Sequence, residues 1–176
     1  LEKVKNKTFS RSPKVIKLEC RDYRKVKDIN ELKEMIKSID DKVVYLAGGT
    51  DILIHSRENN IYKDAVIIDI FGMKDLRYIR EENDKIAIGA GITHTEVAEN
   101  ELINKYASVL SKASRTVGSI LTRNHSTLVG NVCNASPAAD SLSSLAVLNA
   151  KFRILRNDKV IELGLDDIIE KPNTTK

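Results

Sequence analysis

Two short segments of the chain hold residues whose types and spacing suit the capture of an anion. In the first, the apolar run Val43-Val44-Tyr45-Leu46 leads straight into Ala47-Gly48-Gly49-Thr50-Asp51-Ile52. Such a run reads as a short buried strand, and adjacent glycines after it let the backbone turn and approach a ligand without Cβ obstruction. Thr50 adds a hydroxyl, and Asp51 can cap a helix whose free N–H groups face the same anion. The second segment is Thr127-Leu128-Val129-Gly130-Asn131, followed by Asn134-Ala135-Ser136-Pro137-Ala138-Ala139-Asp140. A strand that ends in Gly-Gly is also an ordinary turn, so the first segment alone decides little. The two together point to a diphosphate held from both sides. Neither has the Gly-Lys-Ser/Thr ending of a P-loop or the glycine spacing of a dinucleotide fingerprint.

The elements around these segments alternate between strand and helix. Residues 1–14 read as a basic arm, and Val15-Ile16-Lys17-Leu18 opens an extended run that reaches Tyr23. Asp28 and Glu31 fit a capping box, and Ile29, Leu32, Met35, Ile36 and Ile39 then recur at helical spacing. The strand to Leu46, a short helix from Asp51 and a strand over 65–70 complete a βαβαβ pattern. Its carboxyl strand ends are the natural ligand edge, and Gly48 and Gly49 fall there.

From Met73 the grammar changes. A hairpin is predicted over 76–90, turning at Asn83-Asp84. Helices follow near 95–99 and over 102–117, the second with Tyr106, Val109, Leu110 and Ala113 on its apolar face. A loop strand around Thr127, a helix over 138–148 and a hairpin over 152–163 turning at Asn157-Asp158 end the series. The fold expected is α+β, with a first lobe over 15–72, a second over 73–176 and the ligand between them.

The 176 residues, 41% apolar and 31% charged, suffice for a real core. No apolar run approaches the ~20 residues of a membrane helix, and no apolar h-region follows the basic start, so a cytoplasmic location is expected. The net charge of +4 is spread among acids and aromatics make up 5%, which leaves no stacking platform for nucleic acid. Cys20 and Cys133 stand far apart, and His55, His94 and His125 are scattered, so no metal or iron–sulfur site is expected in this chain.

Ala47-Gly48-Gly49-Thr50-Asp51, the segment Ile88-Gly89-Ala90-Gly91 followed by Thr93, and Thr127-x-x-Gly130-Asn131 with Ala135 to Asp140 resemble a known family. It is the FAD-binding subunit of molybdenum hydroxylases, a group that includes xanthine dehydrogenase, aerobic carbon monoxide dehydrogenase and nicotinate dehydrogenase. The resemblance implies the two-lobe FAD-binding fold of the p-cresol methylhydroxylase and vanillyl-alcohol oxidase type. It also implies a molybdopterin-binding large subunit, a 2Fe-2S small subunit, and electrons passing through FAD to NAD or another acceptor. No catalytic residue is then needed here, since the chain's task is to hold and tune the flavin. On family prevalence, a purine such as xanthine is the first expectation for the substrate on the partner.

Carried over residue by residue, Leu46, Ala47, Gly48, Gly49, Thr50, Asp51 and Ile52 would hold the diphosphate, largely through backbone N–H groups. Thr127, Gly130 and Asn131 would do so from the other lobe. Asp140 would accept hydrogen bonds from the cofactor's hydroxyls or adenine side, or else cap a local turn. Val117 and Gly118 fall where the family packs residues near the flavin, although Val117 also suits a core position.

Two features depart from the family. Val129 stands where glycine is usual, and a positive φ there would strain a β-branched residue and weaken FAD binding. The chain also stops at Lys176, near where family members continue into a C-terminal domain, and Asp166 to Pro172 resembles the passage into it. These departures keep an alternative open: a truncated, non-redox lobe that serves as a subunit-interaction scaffold.

Overall fold

The structure, a computed structural model, describes residues 18–59, 61–156 and 158–175. The basic arm and Val15 to Lys17 lie outside the described residues. The first strand, β1, spans Asp22–Lys25, so among the described residues the extended run becomes sheet only from Asp22. Helix α1 (Ile29–Lys37), β2 (Val43–Leu46), α2 (Ile52–Asn59) and β3 (Val66–Asp69) follow. The sheet order is β1-β3-β2 and both pairings are parallel, which is the βαβαβ unit read from the sequence.

The central position of β3 explains its composition. Val66, Ile67 and Ile68 are all buried, as an unbroken apolar run must be when both faces are covered. Val26, Leu32 and Met73 pack with Val66 and Ile68. Asp69 closes the strand end: its carboxylate accepts from the Tyr23 hydroxyl at 2.7 Å and the Phe71 N–H at 2.9 Å. The bond to Asp69 pushes the Tyr23 phenol up to about 12.

Asp28 caps α1 by accepting from the N–H groups of Asn30 and Glu31, both at 2.9 Å. The expected box closes one residue early, because Glu31 accepts from Lys27 N–H at 2.8 Å. Another donor at this end, Ile29 N–H, goes to Asp75 at 2.9 Å.

Beyond a 3₁₀ turn at Lys74–Leu76, β4 (Ile79–Glu82) and β5 (Lys85–Ile88) form the expected hairpin. Asn83 and Asp84 both have positive φ, 50° and 58°, which matches the twist of a two-residue hairpin loop. Helix α3 spans His94–Glu99. The single helix expected over 102–117 is instead two, α4 (Glu101–Tyr106) and α5 (Ser108–Thr116), broken at Ala107 with φ −137° and ψ 46°. The break lets α5 fold back against α3. Ser111 and Ser114 are then buried with Leu110, and Ser111 Oγ donates to the Ala98 carbonyl at 3.0 Å. Tyr106 and Val109, assigned to the apolar face, are exposed.

Helix α6 (Ile120–His125) was not expected, and α7 (Leu128–Asn134) replaces the expected loop strand. Only an isolated antiparallel bridge, Thr93 to Thr127, remains of strand character there. Helix α8 spans Asp140–Val147, two residues inside the expected start, and β6 (Lys151–Arg156) pairs antiparallel with β7 (Lys159–Gly164) as expected. Asn157 of that turn lies outside the described residues, and Asp158 has φ 60°. The segment read as a passage holds α9 (Leu165–Ile168) and β8 (Ile169–Lys171), which pairs with β9 (Thr174–Thr175). A second core joins Ile92, Val97, Ile103, Leu110, Leu128, Val132 and Leu145.

Candidate cofactor-binding site

The first segment leaves β2 at the carboxyl edge of the parallel sheet. Gly49 has φ +73°, a conformation that L side chains rarely adopt, and this turn aims the chain into α2. Leu53 N–H returns to the Gly49 carbonyl at 3.1 Å and His55 N–H to the Asp51 carbonyl at 2.9 Å. Among the described residues, nothing accepts from the N–H groups of Gly49, Thr50, Asp51 or Ile52. Gly48 has a different role. A Cβ there would stand 1.9 Å from the His125 carbonyl oxygen and 2.9 Å from Ser126 Cα. Its missing side chain serves the contact between the two segments rather than room for a ligand.

The second segment starts from the Thr93–Thr127 bridge. His94 N–H donates to the Ser126 carbonyl at 3.0 Å, and Leu128 N–H to the Ile92 carbonyl at 3.1 Å. Thr127, almost fully buried, caps α7 by accepting from Gly130 N–H at 3.0 Å. A Cβ on Gly130 would meet that Thr127 hydroxyl oxygen at 2.7 Å, so Gly130 answers to the cap. Asn131 N–H goes to the Thr127 carbonyl at 3.0 Å, and the Asn131 side chain accepts from the Ser141 hydroxyl. Val129 lies in the first turn of this helix and is not among the residues with positive φ. The strain foreseen for it is absent, because a helical turn stands where a loop strand was expected.

Val117 caps the end of α5, and Gly118 follows with φ +45°. Asp140 is the first residue of α8, and its carboxylate accepts from Thr116 Oγ1 at 2.9 Å. It therefore joins α8 to the end of α5, one residue before Val117. The structure thus brings Gly48 of the first segment against His125–Ser126, the two residues before the second, and links Asp140 to Thr116 at the end of α5.

Sequence reading missed Arg123, whose Nη1 donates to the carbonyls of both Val117 and Gly118 at 3.0 Å. A basic residue in the last turn of a short helix carries no pattern that would have marked it. Sequence reading also passed over Ser126, and it weighed His94 only among the scattered histidines. Ser126 Oγ, Ser56 Oγ and His94 Nε2 are buried without a hydrogen-bond partner among the described residues. His94 Nδ1 lies 3.4 Å from Ser114 Oγ. Burial, helped by the charge of Arg123, holds the imidazole down to about 4.

A shallow hollow of about 460 Å³ lies elsewhere, lined by Phe71, Gly72, Arg77, Thr93, Thr95, Glu96 and Asn124. It contains none of the candidate site residues, although Thr93 belongs to the segments that carry the resemblance. No cluster of metal-ligating side chains occurs among the described residues, and no described helix is long and apolar enough to cross a membrane.

Residues 16–176 match the family described as the FAD binding domain in molybdopterin dehydrogenase. The chain belongs to this family. Among its relatives is the nicotinate dehydrogenase FAD-subunit of Eubacterium barkeri, 36% identical over 125 residues, which cover 70% of this chain and 42% of that protein. The xanthine dehydrogenase FAD-binding subunit of Escherichia coli is 33% identical over 111 residues, 62% of this chain and 37% of that protein. The chain thus spans about half the length, or less, of the curated relatives it matches. Quinoline 2-oxidoreductase from Pseudomonas putida 86 shares the fold with a TM-score of 0.83 at 22% identity, over 90% of this chain and 55% of that one. The α+β, two-lobe FAD-binding fold expected from the sequence is therefore the fold of this family.

For a member of the FAD-binding family, the residues present suit the cofactor. Free amides clustered on one tight turn are what a diphosphate requires, because each N–H supplies a partial positive charge at fixed position. Residues Ala47 to Ile52 are all half-buried, so the turn is neither sealed in the core nor free in solvent.

Proposed function

We propose that this chain is the FAD-binding, electron-transferring part of a molybdenum hydroxylase complex. The observation that carries it is the Gly49–Ile52 turn, whose amides have no acceptor among the described residues and which follows directly on Gly48, itself packed against the backbone of His125–Ser126. The turn would hold the diphosphate, with Leu46, Ala47 and Gly48 leading into it and Thr50 adding its hydroxyl. From the second segment, Thr127 would act chiefly by fixing the start of α7, since its hydroxyl is already taken by Gly130. Gly130 and Asn131 would lie against the same cofactor. Val117 and Gly118 would border the flavin end, and Asp140 would accept from the cofactor's hydroxyls or adenine side.

Bound FAD supplies the redox chemistry, taking up and releasing electrons at its isoalloxazine ring. The chain's own residues would hold and orient the cofactor. A molybdopterin-binding subunit and a 2Fe-2S subunit are the proposed partners, and NAD is one proposed acceptor. A purine is the proposed substrate of the complex. Relatives are named for nicotinate, caffeine and xanthine, and the last two keep a purine first.

The scaffold alternative loses one of its supports, because Val129 sits at helical φ without backbone strain. A spectrum of the purified protein, followed by titration with FAD, tests the proposal. Bound flavin released by heat is expected. A protein that carries no flavin and takes none up overturns it.

A further inference from the structure

We propose that Arg123 is a positioning residue for the flavin: it pins the Val117–Gly118 turn and sets a positive charge beside it. The inference rests on the proposed FAD-binding function. One guanidinium nitrogen donates to two successive carbonyls, those of Val117 and Gly118, each at 3.0 Å. The turn it holds is tight. Gly118 has φ +45°, and a Cβ there would meet Thr122 at 3.1 to 3.3 Å.

The two carbonyls at the end of α5 answer the charge of Arg123 in part, and no carboxylate of the described residues pairs with it. A guanidinium carries five N–H donors in a rigid fork, and here Nε and Nη2 have no partner among the described residues. No carboxylate of the described residues lies within ion-pair distance of Arg123, although the residue is half-buried. Arg77, on the hollow, differs: it donates to the Gly91 carbonyl at 2.8 Å and also pairs with Glu96. A cation partly withdrawn from water without a counter-charge is unfavourable until an anion arrives. Its field reaches into the protein, where it helps keep His94 neutral.

A dinucleotide cofactor answers this charge in two ways. Its diphosphate is anionic at all times, and its flavin ring gains negative charge when it accepts electrons. A fixed cation beside the ring favours the reduced form and raises the reduction potential. Arg123 would act on the flavin through the Val117–Gly118 turn and through its charge, without touching the reacting atoms.

The test compares wild type, Arg123→Lys and Arg123→Gln as FAD-loaded proteins, measuring FAD affinity, the visible flavin spectrum and the reduction potential by dye equilibration. Arg123→Gln, which keeps donors but loses the charge, should lower the potential and weaken FAD about tenfold. Arg123→Lys keeps the charge but cannot bridge both carbonyls in the same way. It should hold the potential near wild type while binding FAD less tightly. If Arg123→Gln has wild-type affinity, spectrum and potential while its melting temperature falls, Arg123 only caps α5 and the inference is wrong. Should Arg123→Gln not fold, unchanged affinity in Arg123→Lys overturns it equally. Wild type that takes up no FAD overturns the proposed function as well, whereas normal loading with indifferent variants overturns this inference alone.

Discussion

Gly48 and His125 meet backbone to backbone: a Cβ on Gly48 would lie 1.9 Å from the His125 carbonyl oxygen and 2.6 Å from its carbon. The carboxyl edge of the parallel sheet thereby rests on the end of α6, just before the Thr127 cap. Neither partner is a flexible side chain, so even one added methyl must displace main chain. Gly48→Ala should therefore destabilise the protein by about 1–3 kcal/mol, the range for overpacking. At Gly49 space is less limiting than φ, and alanine there should cost only about 1 kcal/mol. Urea denaturation of the two variants checks the order, and a Gly49 variant less stable than the Gly48 variant would contradict this account.

Thr127 and Gly130 form one unit, because the hydroxyl that caps α7 occupies the space a Gly130 Cβ would take. Thr127→Ala should cost about 1–2 kcal/mol through loss of the cap. Gly130→Ala should be damaging in wild type but much less so in the Thr127→Ala background. A double-mutant cycle with strictly additive terms would show that the two positions are independent.

His94 makes stability depend on pH. Its pKa is about 4 in the folded protein, against an ordinary value of 6.5, because burial and Arg123 oppose its charge. The unfolded chain therefore binds this proton first as pH falls. Stability from this source is complete above 6.5 and is lost progressively as pH drops towards 4. Ser114 and Arg123 are the polar and charged groups that face it, and neither offers a carboxylate to receive the proton. Melting temperature should fall more steeply over this window in wild type than in His94→Gln. Parallel curves would mean that other groups account for the loss.

Val129→Gly should leave FAD affinity unchanged and lower stability by about 0.5 kcal/mol, the difference in helix propensity between the two residues. A valine held at positive φ would instead be relieved by glycine, and FAD would bind more tightly. A flavin titration beside a denaturation curve separates these outcomes.

Local chemistry was enough to read the parallel βαβαβ unit. Val43–Leu46 and Ala65–Ile68 are apolar at strand length, Asp28 marks a helix start, and Gly49 marks a turn that only glycine adopts easily. The same holds for Asn83-Asp84, whose positive φ values are a property of those residue types in a hairpin. Tertiary packing decided the rest. The chain from Leu102 to Val117 has one continuous helical pattern, yet it breaks at Ala107 because folding back buries Ser111 and Ser114 against α3. The stretch around Thr127 became a helix start because a single bridge to Thr93 leaves room for no more strand, while the Thr127 hydroxyl can close on Gly130. Gly48 was legible as a glycine in a turn, but its reason is a carbonyl 77 positions along the chain. Contacts of that kind depend on which surfaces the two lobes press together, and no local pattern encodes them.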